Sequence, residues 1–210
     1  MSYRETTEKL AAWRQQIAEL RQRMRDAQAS VEPEPVRDYA FTGVEGSKRL
    51  SQLFGAKRDL FVIHNMGRSC PHCTLWADGF NGIYQHIADR AAFVVSSPDP
   101  PDVQRDFAAG RGWRFPMVSH RGSSFAADMG YRSETGGWLP GVSVFRSDGS
   151  RIVRVADTGF EPSDDFCALW HLFDLLPDGA AGWQAKFSYA EARGSAPGPR
   201  QRQGLWNPLL

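Results

Sequence analysis

The stretch from Leu60 to Cys73, Leu-Phe-Val-Ile-His-Asn-Met-Gly-Arg-Ser-Cys-Pro-His-Cys, constrains this chain more than any other. A short apolar run with strand character enters a loop, and the loop delivers two cysteines, three apart, to the start of a helical run. A dithiol in that setting is a specific redox signal. Cys70 is expected at the helix N-cap, where unpaired backbone N–H groups and the positive end of the macrodipole favour a thiolate. Cys73, one turn further in, faces the same side and is expected to be more enclosed, as a resolving thiol requires. Pro71 suits the first helical position because its missing N–H has no intrahelical partner there. His72, when protonated, adds a second positive charge beside the Cys70 thiolate.

The rest of the chain reads as an α/β protein. Strands are expected at Tyr39 to Phe41, Leu60 to His64, Ala92 to Ser96, Phe115 to Ser119, Gly141 to Phe145 and Arg151 to Val155. The last two flank an Asp148-Gly149 pair, a strong hairpin signal that puts an antiparallel edge on the sheet. Helices are expected from Ser47 as cap through Leu53 and Phe54, from Pro71 to Ile87, and from Asp102 to Ala109. A last helix is expected from Ser163, with Phe166, Leu169, Trp170, Phe173 and Leu176 on one face and Pro177 as its stop.

Residues 1–30 read as one amphipathic helix, since Tyr3, Leu10, Trp13, Ile17, Leu20 and Met24 recur at helical spacing and Ser2 with Glu5 makes a capping box. Its stripe suits packing on the body of the chain or on a partner helix, and acidic residues in its polar face argue against a membrane surface. Residues 31–38, with Pro33 and Pro35, read as a linker, 39–176 as the main domain, and 177–210 as an extended arm. The arm and the first helix are the two candidate routes to a homodimer.

Charge and hydropathy remove other classes. Lys and Arg number 25 against 24 Asp and Glu, a net charge of +1, so no global field attracts nucleic acid. No apolar run approaches a membrane span and the N-terminus lacks a secretory core, so a soluble, cytosolic protein is expected. Three cysteines, two of them three apart, do not make an extracellular disulfide framework.

The dithiol loop resembles the thioredoxin superfamily, and Cys70-Pro71-His72-Cys73 is similar to the motif of the bacterial disulfide oxidants. The wider chain resembles domain of unknown function 899, a thioredoxin-like family of predicted dithiol-disulfide oxidoreductases related in layout to peroxiredoxins. The segments that carry the likeness are Tyr39-Ala40-Phe41, Leu50 to Phe54, His64-Asn65-Met66, Trp76 to Gly82, Gly112 to Pro116 and Pro140 to Phe145, within about residues 4–176. The resemblance implies a central mixed sheet flanked by helices, with an extra N-terminal helix and a C-terminal arm. It also implies a cis-proline facing the dithiol. Pro140, directly before the hairpin, fits that order better than Pro116. Trp138 is a candidate to line the substrate groove beside it, as is Trp113, with core packing the alternative for both.

The function implied is thiol-disulfide exchange with a protein or small-molecule substrate. Cys70 would be nucleophile, Cys73 resolving thiol, His72 thiolate stabiliser and Pro140 docking element. No organic cofactor is needed, because the electrons reside in the Cys70–Cys73 couple. The dipeptide between the thiols bears on the direction of flow, since reducing and oxidising members of the superfamily differ by roughly 150 mV, or about 7 kcal/mol. The substrate and the recycling partner are not legible.

Two alternatives stand beside this reading. Peroxiredoxin nucleophiles follow a Thr by three positions, and that position here is Gly67, which disfavours a thiol peroxidase. A metal-binding or metal-transfer protein could draw on Cys70, Cys73, His72, His64 and His120, but no second matching ligand pair is present. Cys167 is expected to be a small buried hydrophobe without chemistry, and His86 and His171 to be ordinary helix residues. Asp78, Asn81 and the glycines beside them suggest a kink or close backbone packing, with no partner identifiable.

Overall fold

The computed structural model describes residues 2–189. Its strands, β1 (Glu34–Val36), β2 (Ala40–Gly43), β3 (Gly46–Arg49), β4 (Asp59–His64), β5 (Ala92–Ser97), β6 (Met117–Ser119), β7 (Gly141–Ser147) and β8 (Ile152–Gly159), form one mixed sheet ordered β1-β8-β7-β4-β5-β6-β2-β3. At the centre, β4 (Asp59–His64) runs parallel to β5 (Ala92–Ser97), and β5 parallel to β6 (Met117–Ser119). The crossovers are α3 (Pro71–Arg90) and α4 (Pro101–Arg111). On the other side of β4, β7 (Gly141–Ser147) pairs antiparallel and turns through Asp148-Gly149 into β8 (Ile152–Gly159), the expected hairpin.

Both faces of the central strands are covered, which is why β4 is nearly all apolar rather than alternating. Leu60 and Val62 point into one cluster with Phe41, Phe125 and Phe145. Ile63 points into the other with Trp76, Phe80, Trp113 and Trp170. The sheet thus holds α3 on one face, with the N-terminus of α3 at the end of β4.

Several boundaries differ from the sequence reading, each for a tertiary reason. Residues 34–36, inside the expected linker, form β1 (Glu34–Val36) antiparallel to β8. Pro35 is tolerated there because an edge strand can lack an N–H without breaking the interior ladder. Ser47 does not cap a helix but lies in β3 (Gly46–Arg49), paired with β2 (Ala40–Gly43), and α2 (Leu50–Leu53) begins three residues later. A short α5 (Phe125–Asp128) has no counterpart in the sequence reading; Phe125 fills the first cluster.

The last helix, α6 (Ala168–Phe173), starts after Cys167 rather than at Ser163. Ser163 has φ 77°, incompatible with an N-cap. The Asp164 carboxylate instead accepts the N–H groups of Glu161 and Phe166 and closes a turn.

The first helix, α1 (Tyr3–Ala29), has its capping box: Glu5 N donates to Ser2 Oγ at 3.2 Å and Ser2 N to Glu5 Oε2 at 2.7 Å. None of its residues is buried. It touches the body through the Arg21–Asp165 ion pair at 2.8 Å and through Gln28, which donates to the Val155 carbonyl at 2.6 Å. After Pro177 the chain turns back so that Trp183 packs on Trp170 and Phe173. The remainder of the expected arm, 190–210, lies outside the described residues. No described helix is long and apolar enough to cross a membrane.

Candidate active site

The strand that ends at His64 is continued by one more ladder bond, Asn65 N to the Ser96 carbonyl at 2.9 Å, before the backbone leaves the sheet. Asn65 then organises the loop. Its side-chain oxygen accepts Gly67 N at 2.8 Å, and its amide reaches the Cys73 carbonyl at 3.5 Å. Gly67 has φ 103°, and a Cβ there would meet the Asp99 carboxylate at 2.9 Å. That carboxylate accepts Arg68 N at 2.7 Å. A threonine at position 67 would therefore be strained by the backbone conformation, and its Cβ would have to displace the Asp99 carboxylate from Arg68 N. The Gly67 carbonyl in turn accepts Cys70 N at 3.1 Å, which fixes the approach to the dithiol.

Cys70 is the N-cap of α3 and Pro71 its first residue, as the spacing predicts. Cys73 N donates to Cys70 Sγ at 3.1 Å, and the Cys70 carbonyl accepts both Thr74 N at 3.1 Å and Thr74 Oγ1 at 3.0 Å. Both thiols are free, and Cys73, 3% exposed, is more enclosed than Cys70 at 8%.

The two thiols are driven apart electrostatically. Cys70 is lowered to about 7, chiefly because the Cys73 thiol donates to its sulfur. Burial opposes this, and the backbone N–H groups of Cys73 and His72 reinforce it. Cys73 is pushed far up, first because its proton is held by Cys70, then by burial and by the charge on Cys70. Of the two, Cys70 thus favours the thiolate and Cys73 the protonated form.

The other candidate residues are dispersed around this centre. The His72 imidazole sits between aromatic neighbours, with ring centroids 6.2 Å from Trp76 and 6.4 Å from Trp170. It is the backbone N–H of this residue that acts on Cys70. Pro140 directly precedes β7, whose first residue Gly141 pairs with His64, so it stands beside the end of β4. Gly141 is required there, since a Cβ would overlap the Tyr131 ring.

The expected cis-proline is not found: every peptide bond among the described residues is trans. With a trans bond the Pro140 carbonyl accepts Phe160 N at 3.0 Å, and the Pro116 carbonyl accepts Val95 N at 3.0 Å, so each proline extends a ladder. Trp138 lies further out, against His120 at 4.7 Å and under Arg132 at 4.9 Å. Trp113 is buried, and its indole N–H donates to Asp78 at 2.8 Å.

His64 and His120 are both buried on serines, His64 Nε2 to Ser143 Oγ at 2.9 Å and His120 Nδ1 to Ser96 Oγ at 3.0 Å. Burial holds both in the neutral form, lowering His120 to about 4 and His64 well below its ordinary value. Among the described residues no three His, Cys, Asp or Glu side chains converge as a metal site.

Asp78 and Asn81 do have partners, on the α4–β6 connection. Asp78 pairs with Arg111 and Trp113, while Asn81 accepts Arg114 N at 2.9 Å and donates to the Gly112 carbonyl at 3.1 Å. At Gly79 and Gly82 nothing lies within 4 Å of the place a Cβ would take, so close backbone approach does not explain them. Asn65 and Asp99 are the organisers that the sequence reading misses. Asn65 carries a signal, as a polar residue where a buried strand meets the loop; nothing local marks Asp99.

This sheet, with its dithiol at the head of the helix after the central strand, defines a thioredoxin-like fold in the peroxiredoxin-like layout. Reduced Prx3 from Vibrio vulnificus superposes with TM-score 0.52 at 11% identity, over 64% of this chain and 89% of that one. Peroxidoxin BcpB from Mycobacterium tuberculosis is 28% identical over 58% of this chain and 80% of that one, with TM-score 0.48. More particularly, the chain belongs to the family described as bacterial protein of unknown function (DUF899), whose model matches residues 4–193. Among curated proteins, none matches.

Proposed function

We propose that this protein is a thiol-disulfide oxidoreductase working through Cys70 and Cys73. The observation that carries the reading is the placement of two free thiols at one helix N-terminus, Cys70 as cap with its sulfur accepting the Cys73 backbone N–H at 3.1 Å, and the opposite perturbation of the two thiols agrees with it. In the reducing direction the Cys70 thiolate attacks one sulfur of a substrate disulfide, forming a mixed disulfide and expelling the other sulfur as a thiolate that takes up a proton. Cys73 then loses its proton and attacks Cys70 Sγ. The Cys70–Cys73 disulfide forms, the second substrate thiol leaves, and two electrons have passed to the substrate. The same steps reversed oxidise a dithiol. No further cofactor enters. Pro140 and Trp138 are the proposed docking side, with the substrate laid beside the start of β7.

Thiol peroxidase activity is the competing reading, favoured by the shared layout and by a thiol near 7. Gly67 argues against it, because no hydroxyl is available there to orient peroxide. The test is reaction with a model disulfide and, separately, with hydrogen peroxide. Cys70→Ser is expected to abolish disulfide exchange, and Cys73→Ser to trap a mixed disulfide on Cys70 that a reductant releases. Rapid peroxide turnover with no trapped species would reverse the order of the two readings.

A further inference from the structure

The apolar residues of α1 fall on a seven-residue repeat, with Tyr3, Leu10, Ile17 and Met24 in one position and Trp13 and Leu20 three residues after Leu10 and Ile17. This is the seam of a helix that packs on another apolar element. It is uncovered: exposure runs from 38% at Leu10 to 90% at Tyr3. A helix of 27 residues with no buried side chain lacks the tertiary packing from which most helices draw stability. A second uncovered patch lies at α6 and just after it, where Leu172, Leu175 and Leu176 are 60%, 72% and 53% exposed.

Between α1 and α6 runs a groove of about 740 Å³ lined by Ile17, Leu20 and Met24 and by Arg14, Arg21 and Arg25 of α1, with Asp165 and His171 on the α6 side. We propose that this groove receives the Leu172–Leu176 segment of a second copy of the chain, and that the exchange is reciprocal, giving a two-fold dimer. Charge selects this occupant. The positions flanking the α1 seam carry Lys9, Arg14, Arg21 and Arg23, so seam against seam brings like charges together. The Leu172–Leu176 segment carries Asp174 and is followed by Asp178, both exposed, the complement of that basic margin. One such pairing already exists within the chain, between Arg21 and Asp165 at 2.8 Å. Apolar burial supplies the affinity, while the exposed charges fix which surface is chosen.

The groove and the patch adjoin at α6, so a single two-fold axis carries both contacts, groove on patch and patch on groove, as an isologous interface.

Sedimentation velocity of the reduced full-length protein tests this. The wild type is expected to sediment with the mass of two chains, and Leu172→Glu with Leu175→Glu to give monomers that still exchange disulfides. Reversing the groove rim (Arg14→Glu with Arg25→Glu) and, in another protein, the patch margin (Asp174→Arg with Asp178→Arg) is expected to weaken each homodimer about tenfold or more. Mixing the two restores a dimer, because each contact in the hybrid is again complementary. A monomeric wild type overturns the proposal. So does a dimer indifferent to Leu172 and Leu175, which would assign the association to α1 alone, and so does a mixture that stays monomeric.

Discussion

Cys70 and Cys167 occupy the same kind of position, the N-cap of a helix in extended backbone geometry, and are similarly buried at 8% and 6% exposed. Their thiols are nevertheless driven in opposite directions. Cys70 is lowered to about 7, whereas burial raises Cys167, with the Leu169 N–H opposing and the Asp164 charge adding to the rise. A helix start and desolvation are common to both, so together they do not account for the lowering of Cys70. What Cys70 has in addition is a second thiol that donates to its sulfur, a longer helix of 20 residues against 6, and no acid among the groups acting on it. The comparison assigns the lowering of Cys70 chiefly to the second thiol, with the backbone N–H groups of the helix start adding to it.

The strongest test of that assignment is to remove the donor. In Cys73→Ala the Cys70 thiol is expected to climb from about 7 toward its ordinary 9.0, by about one unit or more. The thiolate fraction at pH 7 then falls about fivefold or more, read as thiolate absorbance against pH and as alkylation rate. The sign follows from the lowered value. In the wild type the alkylation rate of Cys70 rises with pH up to about 7 and levels off above it, and in the variant the rise continues to higher pH. An unchanged profile would return the credit to the helix terminus.

His72→Ala is expected to do less. The backbone N–H of that residue survives the substitution, and the imidazole sits among Trp76 and Trp170, so the Cys70 titration should move by less than about one unit. A larger rise would give the imidazole charge the role that the Cys70-Pro71-His72-Cys73 motif suggests. The smallest effect is expected at the other cysteine: Cys167→Ala keeps the rate of disulfide exchange, and a marked loss would place the third thiol in the cycle.

The candidate site was legible because its parts are close in sequence. The buried strand through His64, Cys70 as cap, Pro71 at the first helical position and Cys73 one turn on all follow from rules that act within a few residues, and the structure places them so. The Asp148-Gly149 hairpin and the Ser2–Glu5 cap were legible for the same reason. The misread elements depend on distant partners or on a turn that competes with the helix. Ser47 reads as a good cap until β2 takes it as a strand partner, and Ser163 until Asp164 closes a turn beneath it.

The sequence by itself determined that this chain is α/β and that two thiols of unequal character stand at one helix N-terminus, because local propensity, capping and the macrodipole need only neighbouring residues. Only the tertiary structure decided that Asp99, from the turn after β5, occupies the space a side chain at Gly67 would need, that Asp78 and Asn81 hold the α4–β6 connection, and that β1 closes an edge of the sheet against β8. These contacts join residues about 30 to 120 apart. Chain paths and packing of both sheet faces set such distances, and no periodicity or cap encodes them.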